Sequence, residues 1–582
     1  MDRQTGLDDV IQTLQQIISS PDLAISHQFS SRRGENFPVL PRDVPKPPSS
    51  NIAQPLASSA ASNELFDQQH ERQDALLSRL GAHLTTAVLP HLNLSSLSPN
   101  YYGFVTGGAT PAALLGDFLA SIYDQNVQVH LPQETLATSL EVVALNMLVQ
   151  LFRLPESTWA VGGPDTAGGG TFTTGATASN VLGLALGREH VLRHKLRSLA
   201  GHDADAQSAA SYRDTSTGEQ GVFDLMQRAG VAKIQVLSTL PHSSIAKAAS
   251  IVGIGRRNVI SISAEGDPLE IDVARLEQEA TKPNALNILA ISAGEVNTGR
   301  FATSSASQWR QIRRICDAHG IWVHVDGAFG LFGRLLLPEA DTDSHAGTET
   351  PAEASEYTSI TRGVQGLELA DSITGDCHKL LNVPYDCGVF FTRHKSLLEH
   401  VFQNGNAAYL TGGAAPRGGD NDDAIQSPLN IGIENSRRFR ALPVYATLAA
   451  YGRQGYEAML KRQIGLARRV TRWLLRDEKK RFEVLPSATG AGESEAETVA
   501  RTFIVVLFRV RGDNDEATRT FVKRVNMTGK IYLTGTVWEG RAAARIAMSN
   551  WQVDVERDGA LIEEVLDEVA SAVGNVQREV SS

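Results

Sequence analysis

Cysteine is scarce in this chain, and its scarcity excludes two classes of protein. Only Cys316, Cys377 and Cys387 occur among the 582 residues. Three cysteines are too few for the disulfide framework of a secreted protein, and no two of them have the spacing of a zinc knuckle. We therefore predict a reducing, cytoplasmic location and no metal site.

Positive charge and long apolar runs are also lacking. Lys and Arg number 54 against 65 Asp and Glu, which gives a net charge of −11. This balance repels a nucleic-acid backbone or an anionic membrane, and no long run of Lys and Arg overrides it. No apolar stretch reaches the roughly 18 residues that span a bilayer. The N-terminal sequence matches neither a secretory signal nor a transit peptide. We expect no nucleic-acid partner and no membrane partner.

The chain does contain enough apolar sequence for a large folded core. Hydrophobic residues make up 42% and charged residues 20% of it, as in ordinary globular proteins. Its length predicts two or three packed units. We expect an N-terminal helical arm with a Ser/Pro-rich linker over 1–100, a large domain over 101–435, and a helical connection with a small C-terminal α/β domain over 436–582.

Short apolar runs alternate with helical segments through the middle of the chain. The strand-like runs are Ala232–Leu237, Asn287–Ser292, Ile321–Val325 and Gly388–Thr392, and the helical segments include Ser179–Leu199 and Ser305–His319. This alternation is typical of an α/β fold with a parallel or mixed sheet and helices on both faces. Two polar insertions, Asp203–Gln220 and Glu339–Glu356, are best interpreted as solvated loops.

One lysine stands where carbonyl chemistry is expected. The segment DSITGDCHKLLNVPYDCG, residues 371–388, places Lys379 among apolar and small residues directly after His378. Burial disfavours the ammonium form of a lysine, and the neutral amine attacks a carbonyl. The pattern therefore suggests Schiff-base chemistry at Lys379.

A carboxylate at the end of a predicted strand suggests a partner for that lysine. The run IWVHVDGAFG, residues 321–330, ends on Asp326 and continues into small residues that let a flat ligand approach the backbone. An acidic group there could hold the proton of a pyridinium. A lone strand-end Asp is more often a turn or helix cap, and its occurrence together with Lys379 favours the cofactor interpretation.

A Gly-rich loop before a helix suggests a phosphate site. The sequence GGGTFTTGATASN, residues 168–180, leads into a helix whose free N–H groups and dipole suit an anion. A plain glycine turn with a Ser or Asn cap explains it equally well. The loop lacks GxxxxGK[ST], which disfavours nucleoside triphosphates. The segment 252–258 fails as a dinucleotide fingerprint because Asn258 replaces the third glycine.

A histidine follows another predicted strand and opens a helix. His242 lies in PHSSIAKA, residues 241–248. Such a residue is usually a helix cap or a satisfied core group, but its ring can also lie flat against an aromatic ligand.

Together these elements resemble the pyridoxal-phosphate-dependent group II amino-acid decarboxylases, which include the aromatic-amino-acid, glutamate and histidine decarboxylases. The resemblance runs from about Tyr101 to Trp551 and rests on HVDGAFG, DSITGDCHKLLNVPYDCG and TFTTGATASN. It is strongest for a less characterised branch with a TGTxWxGRxAxRxxxSNW signature, which here reads TGTVWEGRAAARIAMSNW at residues 534–551. The resemblance implies fold type I, which is aspartate-aminotransferase-like and has a mixed seven-stranded sheet.

The resemblance also implies roles around the cofactor, pyridoxal 5′-phosphate. Lys379 would form the Schiff base with it, and Asp326 would pair with its pyridine nitrogen. His242 would stack on one face of the ring, with Ala328 on the other. Ala176, Thr177 and His378 would hold the phosphate.

Further positions are implied on the substrate side. Tyr409 stands where the family keeps a mobile-loop tyrosine that protonates the α-carbon, and Phe104 and Thr106 resemble residues that line the substrate pocket. One departure is that Glu295 and Val296 replace the usual Thr residues of a Gly-Thr-Thr segment. This puts local cofactor contacts and the charge preference for substrate in question.

The expected reaction is decarboxylation of an L-amino acid, aromatic or aliphatic rather than acidic, to an amine and carbon dioxide. Three alternatives keep the cofactor: an aldehyde synthase, an aldolase and another carbon–carbon lyase. A catalytically silent cofactor-binding paralogue is the non-enzymatic alternative. The resemblance further implies a homodimer with its active site at the subunit interface.

Overall fold

The structure is a computed structural model that describes most of the chain. The described residues are 3–20, 38–42, 44, 69–200, 214–338, 356–404, 425–486, 493–512 and 515–581. Most of the predicted linker, most of both polar insertions and Tyr409 lie outside them.

The chain divides into two compact units. The first comprises Met1–Phe104, Gly512–Ala544 and Ala560–Ser582, and the second comprises Val105–Arg511 and Arg545–Gly559. Among the predicted site residues that are described, all but Phe104 belong to the second unit. The three-part division expected from the sequence stays a prediction.

Helices make up most of the described chain. The α-helices are α1 Arg3–Ile18, α2 Gln69–His83, α3 Pro111–Tyr123, α4 Ala137–Leu151, α5 Glu156–Trp159, α6 Ala176–Ala200, α7 Thr217–Gln220, α8 Val222–Arg228, α9 Ser243–Ile251, α10 Val273–Ala280, α11 Ala306–His319, α12 Thr358–Val364, α13 Cys377–Leu380, α14 Lys395–Phe402, α15 Ala441–Leu475, α16 Glu495–Arg501, α17 Asp515–Met527 and α18 Val555–Ser581. None of the helices in the described part of the chain combines the length and apolarity that a bilayer crossing requires.

The strands include those expected from the apolar runs. They are β1 Gly169–Thr173, β2 Lys233–Ser238, β3 Val259–Ser261, β4 Ser263–Ala264, β5 Asp267–Ile271, β6 Ala285–Ser292, β7 Trp322–Asp326, β8 Ser372–Asp376, β9 Gly388–Thr392, β10 Phe482–Leu485, β11 Val505–Val510, β12 Thr534–Trp538 and β13 Arg541–Ala547. Four of them, β2, β6, β7 and β9, are the predicted strands to within two residues at either end.

A seven-stranded mixed sheet forms the centre of the second unit. Its strand order is β1-β9-β8-β7-β6-β2-β3. Strand β9 is antiparallel to both of its neighbours, and the remaining pairs are parallel. The predicted α/β class and the fold type I sheet are confirmed. Because six strands run in one direction, the loops that follow them meet at one edge, where α/β proteins bind ligands.

Burial on both faces explains why these strands form. Every residue of β1, β7, β8 and β9 is buried. In β9, Val389, Phe390 and Phe391 are at most 1% exposed, and burying each such side chain stabilises the fold by about 1.5–3 kcal/mol.

Helix α6 packs closely on the sheet because it carries glycine at the contact. A Cβ atom added at Gly183 would lie 2.4 Å from the His324 ring, and one at Gly187 would lie 2.9 Å from Trp322. The absence of side chains there lets α6 lie directly over β7. This contact fixes the start of α6 beside the edge where the parallel strands end.

Candidate active site

Four loops bring the predicted catalytic groups to one edge of the seven-stranded sheet. They follow β1, β2, β7 and β8 and carry, in that order, Ala176, His242, Asp326 and Lys379. Strands β7 and β8 are neighbours, with Asp326 opposite Thr374. The sheet therefore brings together residues that are up to 203 positions apart in the sequence.

Lys379 lies in a single helical turn, α13, directly after β8. Its Nζ atom is 3.0 Å from Oδ2 of Asp376, and its side chain is 23% exposed. The same amine lies 5.8 Å from the centre of the Phe329 ring. Lys379 is thus held between a carboxylate and an apolar ring while its amine remains accessible to a ligand.

Asp326 ends β7 and is held by hydrogen bonds on both oxygens. The backbone N–H of Ala328 donates to Oδ1 at 3.3 Å, and the Asn180 amide donates to Oδ2 at 2.9 Å. Oδ1 of Asn180 lies 2.9 Å from Nε2 of His324, whose Nδ1 lies 2.8 Å from the Ser372 hydroxyl. A chain of buried polar groups therefore orients the Asp326 carboxylate.

Because His324 is neutral, the donor and the acceptor of each hydrogen bond in this network can be assigned. Burial lowers the pKa of His324 to about 4, although the charge of Asp326 opposes that shift. The neutral ring accepts at Nδ1 from Ser372, which itself accepts from the indole N–H of Trp322. Nε2 then carries the hydrogen and donates to the Asn180 carbonyl. This arrangement turns the NH₂ group of Asn180 toward Asp326.

The start of α6 and His378 form a candidate phosphate cradle. The first N–H groups of a helix have no partner within the helix and attract anions. In this structure the backbone N–H of Ala176 donates to Oδ1 of Asp376 at 2.6 Å, which shows that the position accepts a negatively charged oxygen. The His378 ring is adjacent, since a Cβ atom added at Gly175 would lie 3.2 Å from it. Thr177 follows in the same turn.

His378 presents one nitrogen to this cradle. The backbone N–H of Cys387 donates to Nδ1 of His378 at 3.3 Å, and Nε2 lies 3.7 Å from Oδ1 of Asp376. Burial lowers the pKa of His378, and the charge of Asp376 opposes the shift. The neutral ring therefore carries its hydrogen on Nε2, which faces the start of α6.

His242 caps α9 and leaves its ring accessible. The backbone N–H of Ser244 donates to Nδ1 of His242 at 3.2 Å, so the cap role anticipated for this residue is observed. The imidazole is exposed, yet desolvation by surrounding protein lowers its pKa, against the charge of Asp326 and together with that of Lys379. Ser244 also accepts from Asn180 at 3.0 Å. His242 is thus joined to the Asp326 network through Ser244.

The two predicted substrate-pocket residues lie in different environments. Thr106 is buried, and its carbonyl accepts from the Ser549 hydroxyl at 3.0 Å. The next residue, Gly107, passes so close to the lysine loop that a Cβ atom there would lie 1.9 Å from the Lys379 carbonyl oxygen. Phe104 belongs to the first unit, is 64% exposed and has a positive φ of 57°. The structure does not describe Tyr409.

Glu295 closes a turn. The backbone N–H and the hydroxyl of Thr298 both donate to its Oε2, each at 2.9 Å. Arg545 donates to the Val296 carbonyl at 2.7 Å. Burial lowers the pKa of Arg545 to about 10, and the charge of Glu295 opposes that shift. The C-terminal signature segment therefore packs against the turn that departs from the family pattern.

Sequence reasoning missed the residues that support the predicted ones. Asn180, Asp376 and His324 all lie within segments quoted for the resemblance but received no role. Asn382 also went unnoticed: it adopts a positive φ of 55° and donates to the carbonyls of Gly107 and Ser549 at 2.7 and 3.1 Å. Its position three residues after Lys379 was the available signal.

These side chains fit pyridoxal phosphate. The start of α6 with His378 suits the phosphate, and the oriented carboxylate of Asp326 suits a protonated ring nitrogen. Lys379 supplies an accessible amine, while the exposed His242 ring and the small side chain of Ala328 leave room for a flat ring.

Comparison with known proteins agrees with this fit. A family model described as "Pyridoxal-dependent decarboxylase conserved domain" matches residues 224–492. Tryptophan decarboxylase 1 of Oryza sativa subsp. japonica is 27% identical over 466 residues, which cover 78% of this chain and 77% of that protein.

Solved structures share the fold at lower identity. The crystal structure of Oryza sativa TDC with PLP and tryptamine superposes with a TM-score of 0.69 at 21% identity and covers 97% of this chain and 98% of that one. Rhodiola rosea 4-hydroxyphenylacetaldehyde synthase gives a TM-score of 0.65 at 18% identity, with 97% and 96% covered. The family-model match and the curated relatives support the family of pyridoxal-phosphate-dependent amino-acid decarboxylases, which are carboxy-lyases.

Proposed function

We propose that this chain decarboxylates an L-amino acid with an aromatic or aliphatic side chain and releases the corresponding amine. The observation that carries the proposal is the buried Asp326 carboxylate, which Asn180 and neutral His324 orient in the loop cluster that also holds Lys379. Such a carboxylate favours a protonated ring nitrogen in a bound pyridine. The tryptophan decarboxylase relative supports an aromatic substrate.

Each residue has a separate task in this reaction. Bound pyridoxal phosphate supplies an electron sink for the bond that breaks at the α-carbon. Lys379 would supply the amine that holds the cofactor. Asp326 would keep the ring nitrogen protonated. His242 would lie against one face of the ring, and Ala328 would leave space on the other.

Other residues would bind the phosphate of the cofactor and deliver the proton that replaces the departing carboxylate. The first-turn N–H groups at Ala176 and Thr177, together with His378, would hold the phosphate. We assign Tyr409 the delivery of a proton to the α-carbon after carbon dioxide leaves, as the family resemblance implies.

A second candidate function is oxidative conversion of an amino acid to an aldehyde. The similarity to 4-hydroxyphenylacetaldehyde synthase supports it at the level of fold. An aldolase, another carbon–carbon lyase and a silent paralogue remain alternatives that share the cofactor site.

A panel of L-amino acids separates these functions. The enzyme with added pyridoxal phosphate is incubated in air with each amino acid, and carbon dioxide, amine, aldehyde and hydrogen peroxide are measured together. We expect equimolar amine and carbon dioxide from at least one aromatic or aliphatic substrate. Aldehyde with peroxide in place of amine would overturn decarboxylation, and carbon–carbon cleavage without carbon dioxide would indicate an aldolase.

Tyr409→Phe should change the partition of products. The variant lacks the hydroxyl that would supply the proton, so protonation of the α-carbon slows and dioxygen from the air-equilibrated buffer oxidises more of the substrate to aldehyde, ammonia and hydrogen peroxide. Proton delivery by a positioned group contributes roughly 10²- to 10⁴-fold, and we expect the amine rate to fall within that range while aldehyde and peroxide increase. Tyr385→Phe is the matched control, since this tyrosine is 57% exposed and the substitution keeps the ring that lies 4.5 Å from the His378 ring. An unchanged amine-to-aldehyde ratio in Tyr409→Phe would contradict the assignment.

We also propose that the chain functions as a homodimer. Helix α3 exposes an apolar stripe in the second unit. Leu115 is 61% exposed, Phe118 50%, Leu119 38% and Ile122 51%. These residues are spaced three and four apart, so they share one helix face. An exposed apolar patch of this kind marks a protein contact, and a second copy is the partner that the family resemblance implies.

Phe118→Glu should therefore yield a monomer. A carboxylate at the centre of the stripe would have to be desolvated on association, which costs several kcal/mol. Phe223→Glu is the matched control, because Phe223 is 78% exposed on α8 and lies outside the stripe. Analytical ultracentrifugation should show a dimer for the parent and for the control. A dimeric Phe118→Glu variant would refute this interface.

A cytoplasmic location also belongs to the proposal. All three cysteines are free and buried in the structure. Unpaired thiols in every case are typical of proteins from a reducing compartment.

A further inference from the structure

One buried carboxylate contacts several of the residues assigned to the cofactor but has no task in the proposed reaction. Oδ1 of Asp376 accepts from the backbone N–H of Ala176 at 2.6 Å, and its Oδ2 lies 3.0 Å from Nζ of Lys379. Nε2 of His378 is 3.7 Å from Oδ1, and the backbone N–H of Asp376 donates to the Ala328 carbonyl at 3.0 Å. Asp376 therefore contacts both the phosphate cradle and the lysine.

A helix cap does not explain the position of this carboxylate. Asp376 is the N-cap residue of α13, where an Asp side chain usually accepts from an N–H in the first turn of its own helix. The Asp376 side chain makes no such bond. It reaches instead to the start of α6, 200 positions earlier in the chain. The contact with Ala176 is thus a tertiary contact that α13 itself does not require.

The ion pair with Lys379 accounts for only one of the two carboxylate oxygens. Lys379 lies three residues after Asp376 and pairs with Oδ2, whereas Oδ1 is engaged by Ala176. The Asp376 side chain is only 4% exposed, so dissolved salt screens its charge little. Each oxygen therefore contacts a different part of the site that the cofactor would use.

The cofactor phosphate and Asp376 require the same donor. The first-turn N–H groups of α6 are the donors expected to bind the phosphate. The N–H of Ala176 has a single hydrogen and donates it to Oδ1 of Asp376, so a phosphate oxygen can accept it only when Oδ1 moves away. A phosphate ester also carries a charge of about −1.5 to −2 at pH 7, which Asp376 repels.

A glycine leaves room for this exchange. A Cβ atom added at Gly175 would lie 3.2 Å from the His378 ring and 3.5 Å from Oδ1 of Asp376. Because residue 175 has no side chain, a space of about the size of a methyl group lies beside both of these side chains. A phosphate oxygen is of similar size and can enter there, next to the N–H of Ala176.

From these contacts we propose that Asp376 competes with the cofactor phosphate for the N–H of Ala176 and thereby weakens the binding of phosphate-bearing ligands. The proposal rests on the cofactor site of the proposed function and assigns Asp376 control over cofactor loading. A ligand without a phosphate leaves the contact between Asp376 and Ala176 in place. The competition therefore acts on phosphate esters and not on their unphosphorylated counterparts.

Binding of two vitamin B6 compounds tests the proposal without any turnover. Pyridoxine 5′-phosphate carries the phosphate but has no aldehyde that could react with Lys379, and pyridoxine lacks the phosphate as well. Each compound is titrated by calorimetry into the full-length chain after the cofactor has been removed by dialysis. Asp376→Asn removes the charge and keeps the shape of the side chain. We expect this variant to bind pyridoxine 5′-phosphate at least about tenfold more tightly than the parent, with little change for pyridoxine.

A second variant and a control make the result specific. Asp376→Ala removes the competing oxygen without adding an amide donor and should also tighten the binding of pyridoxine 5′-phosphate. Asp386→Asn removes a carboxylate that is 42% exposed and pairs with Arg440 at 3.0 Å. Burial lowers the pKa of His378, and the charges of Asp376 and Asp386 both oppose that shift. Asp386→Asn therefore controls for a change of charge near the cradle, and it should leave the affinity nearly unchanged.

Three results would overturn the proposal: unchanged or weaker binding of pyridoxine 5′-phosphate in Asp376→Asn, an equal gain for pyridoxine, and an equal gain in Asp386→Asn. Absence of binding in the parent and in all variants would reject the phosphate cradle and this proposal together. A chain that shows the expected effect of Asp376→Asn but decarboxylates no amino acid would contradict the proposed function alone.

Discussion

Lys379→Ala should abolish turnover and remove the near-visible absorbance of lysine-bound pyridoxal phosphate. The amine of Lys379 is accessible at the end of β8, 3.0 Å from Asp376, and no other lysine lies in α13. Intramolecular placement of a nucleophile is worth many orders of magnitude in effective concentration, so we expect a loss of roughly 10⁴-fold or more in kcat. Absorbance spectra and amine formation measure the two effects.

Two further variants make this prediction specific. Lys379→Arg preserves the positive charge beside Asp376 and should be as inactive as the alanine variant. Lys247→Ala removes an exposed lysine from α9, near His242 in the sequence, and should keep both the absorbance and the activity. Retained turnover in Lys379→Ala would reject the assignment.

Asp326→Asn should reduce kcat by about 10- to 10²-fold, because a charge-assisted hydrogen bond contributes about 1.5–3 kcal/mol and the barrier rises accordingly. The substitution is isosteric, and the new amide oxygen can still accept from Asn180, so the buried network can persist. What is lost is the negative charge that holds a proton on the ring nitrogen of the cofactor. We expect the absorbance of the bound cofactor to change along with the rate, which a purely structural role would not produce.

Substitution of two asparagines tests whether the hydrogen bond from Asn180 positions the Asp326 carboxylate for the cofactor. Asn180→Leu removes the donor at 2.9 Å from Oδ2 of Asp326 and should weaken cofactor binding by about tenfold or more. Asn146→Leu removes hydrogen bonds of 3.0 and 2.8 Å to Val161, remote from the loop cluster. It should lower stability without changing cofactor affinity or absorbance. Equal cofactor affinities in the two variants would contradict the positioning role of Asn180.

The strand pattern of the fold was predictable where apolar residues run continuously. Strand β9 contains Val389, Phe390 and Phe391, and its apolar run predicts its ends correctly. Strands β1 and β8 were missed because their sequences, GGTFT and SITGD, are rich in Gly, Thr and Asp. They form because β9 pairs with both and because helices cover them, which are contacts that local sequence does not display.

One predicted break between helices is observed. The helical spacing of apolar residues predicts separate helices over Ser436–Tyr451 and Tyr456–Leu475, and the segment Ala441–Leu475 consists of two helices that meet at a kink at Gly452, where φ is 54°. Glycine adopts this left-handed conformation without the steric cost that a side chain would bring.

The candidate site was predictable to the extent that its residues carry unusual chemistry. A lysine in an apolar segment and a strand-end carboxylate are conspicuous in sequence, and the structure places Asp326 at the end of β7 and Lys379 directly after the neighbouring strand β8. The link from His324 through Asn180 to Asp326 was not predictable, because Asn180 and Asp326 are 146 residues apart. Only the packing of α6 on β7 brings them into contact.

The most direct test of this account is to locate the cofactor on the chain. The loaded enzyme is reduced with borohydride, digested and examined by mass spectrometry. We predict a single pyridoxyl-modified peptide carrying the modification on Lys379, and its loss in Lys379→Ala. Modification of a different lysine, or a loaded enzyme that yields no modified peptide, would contradict the central claim.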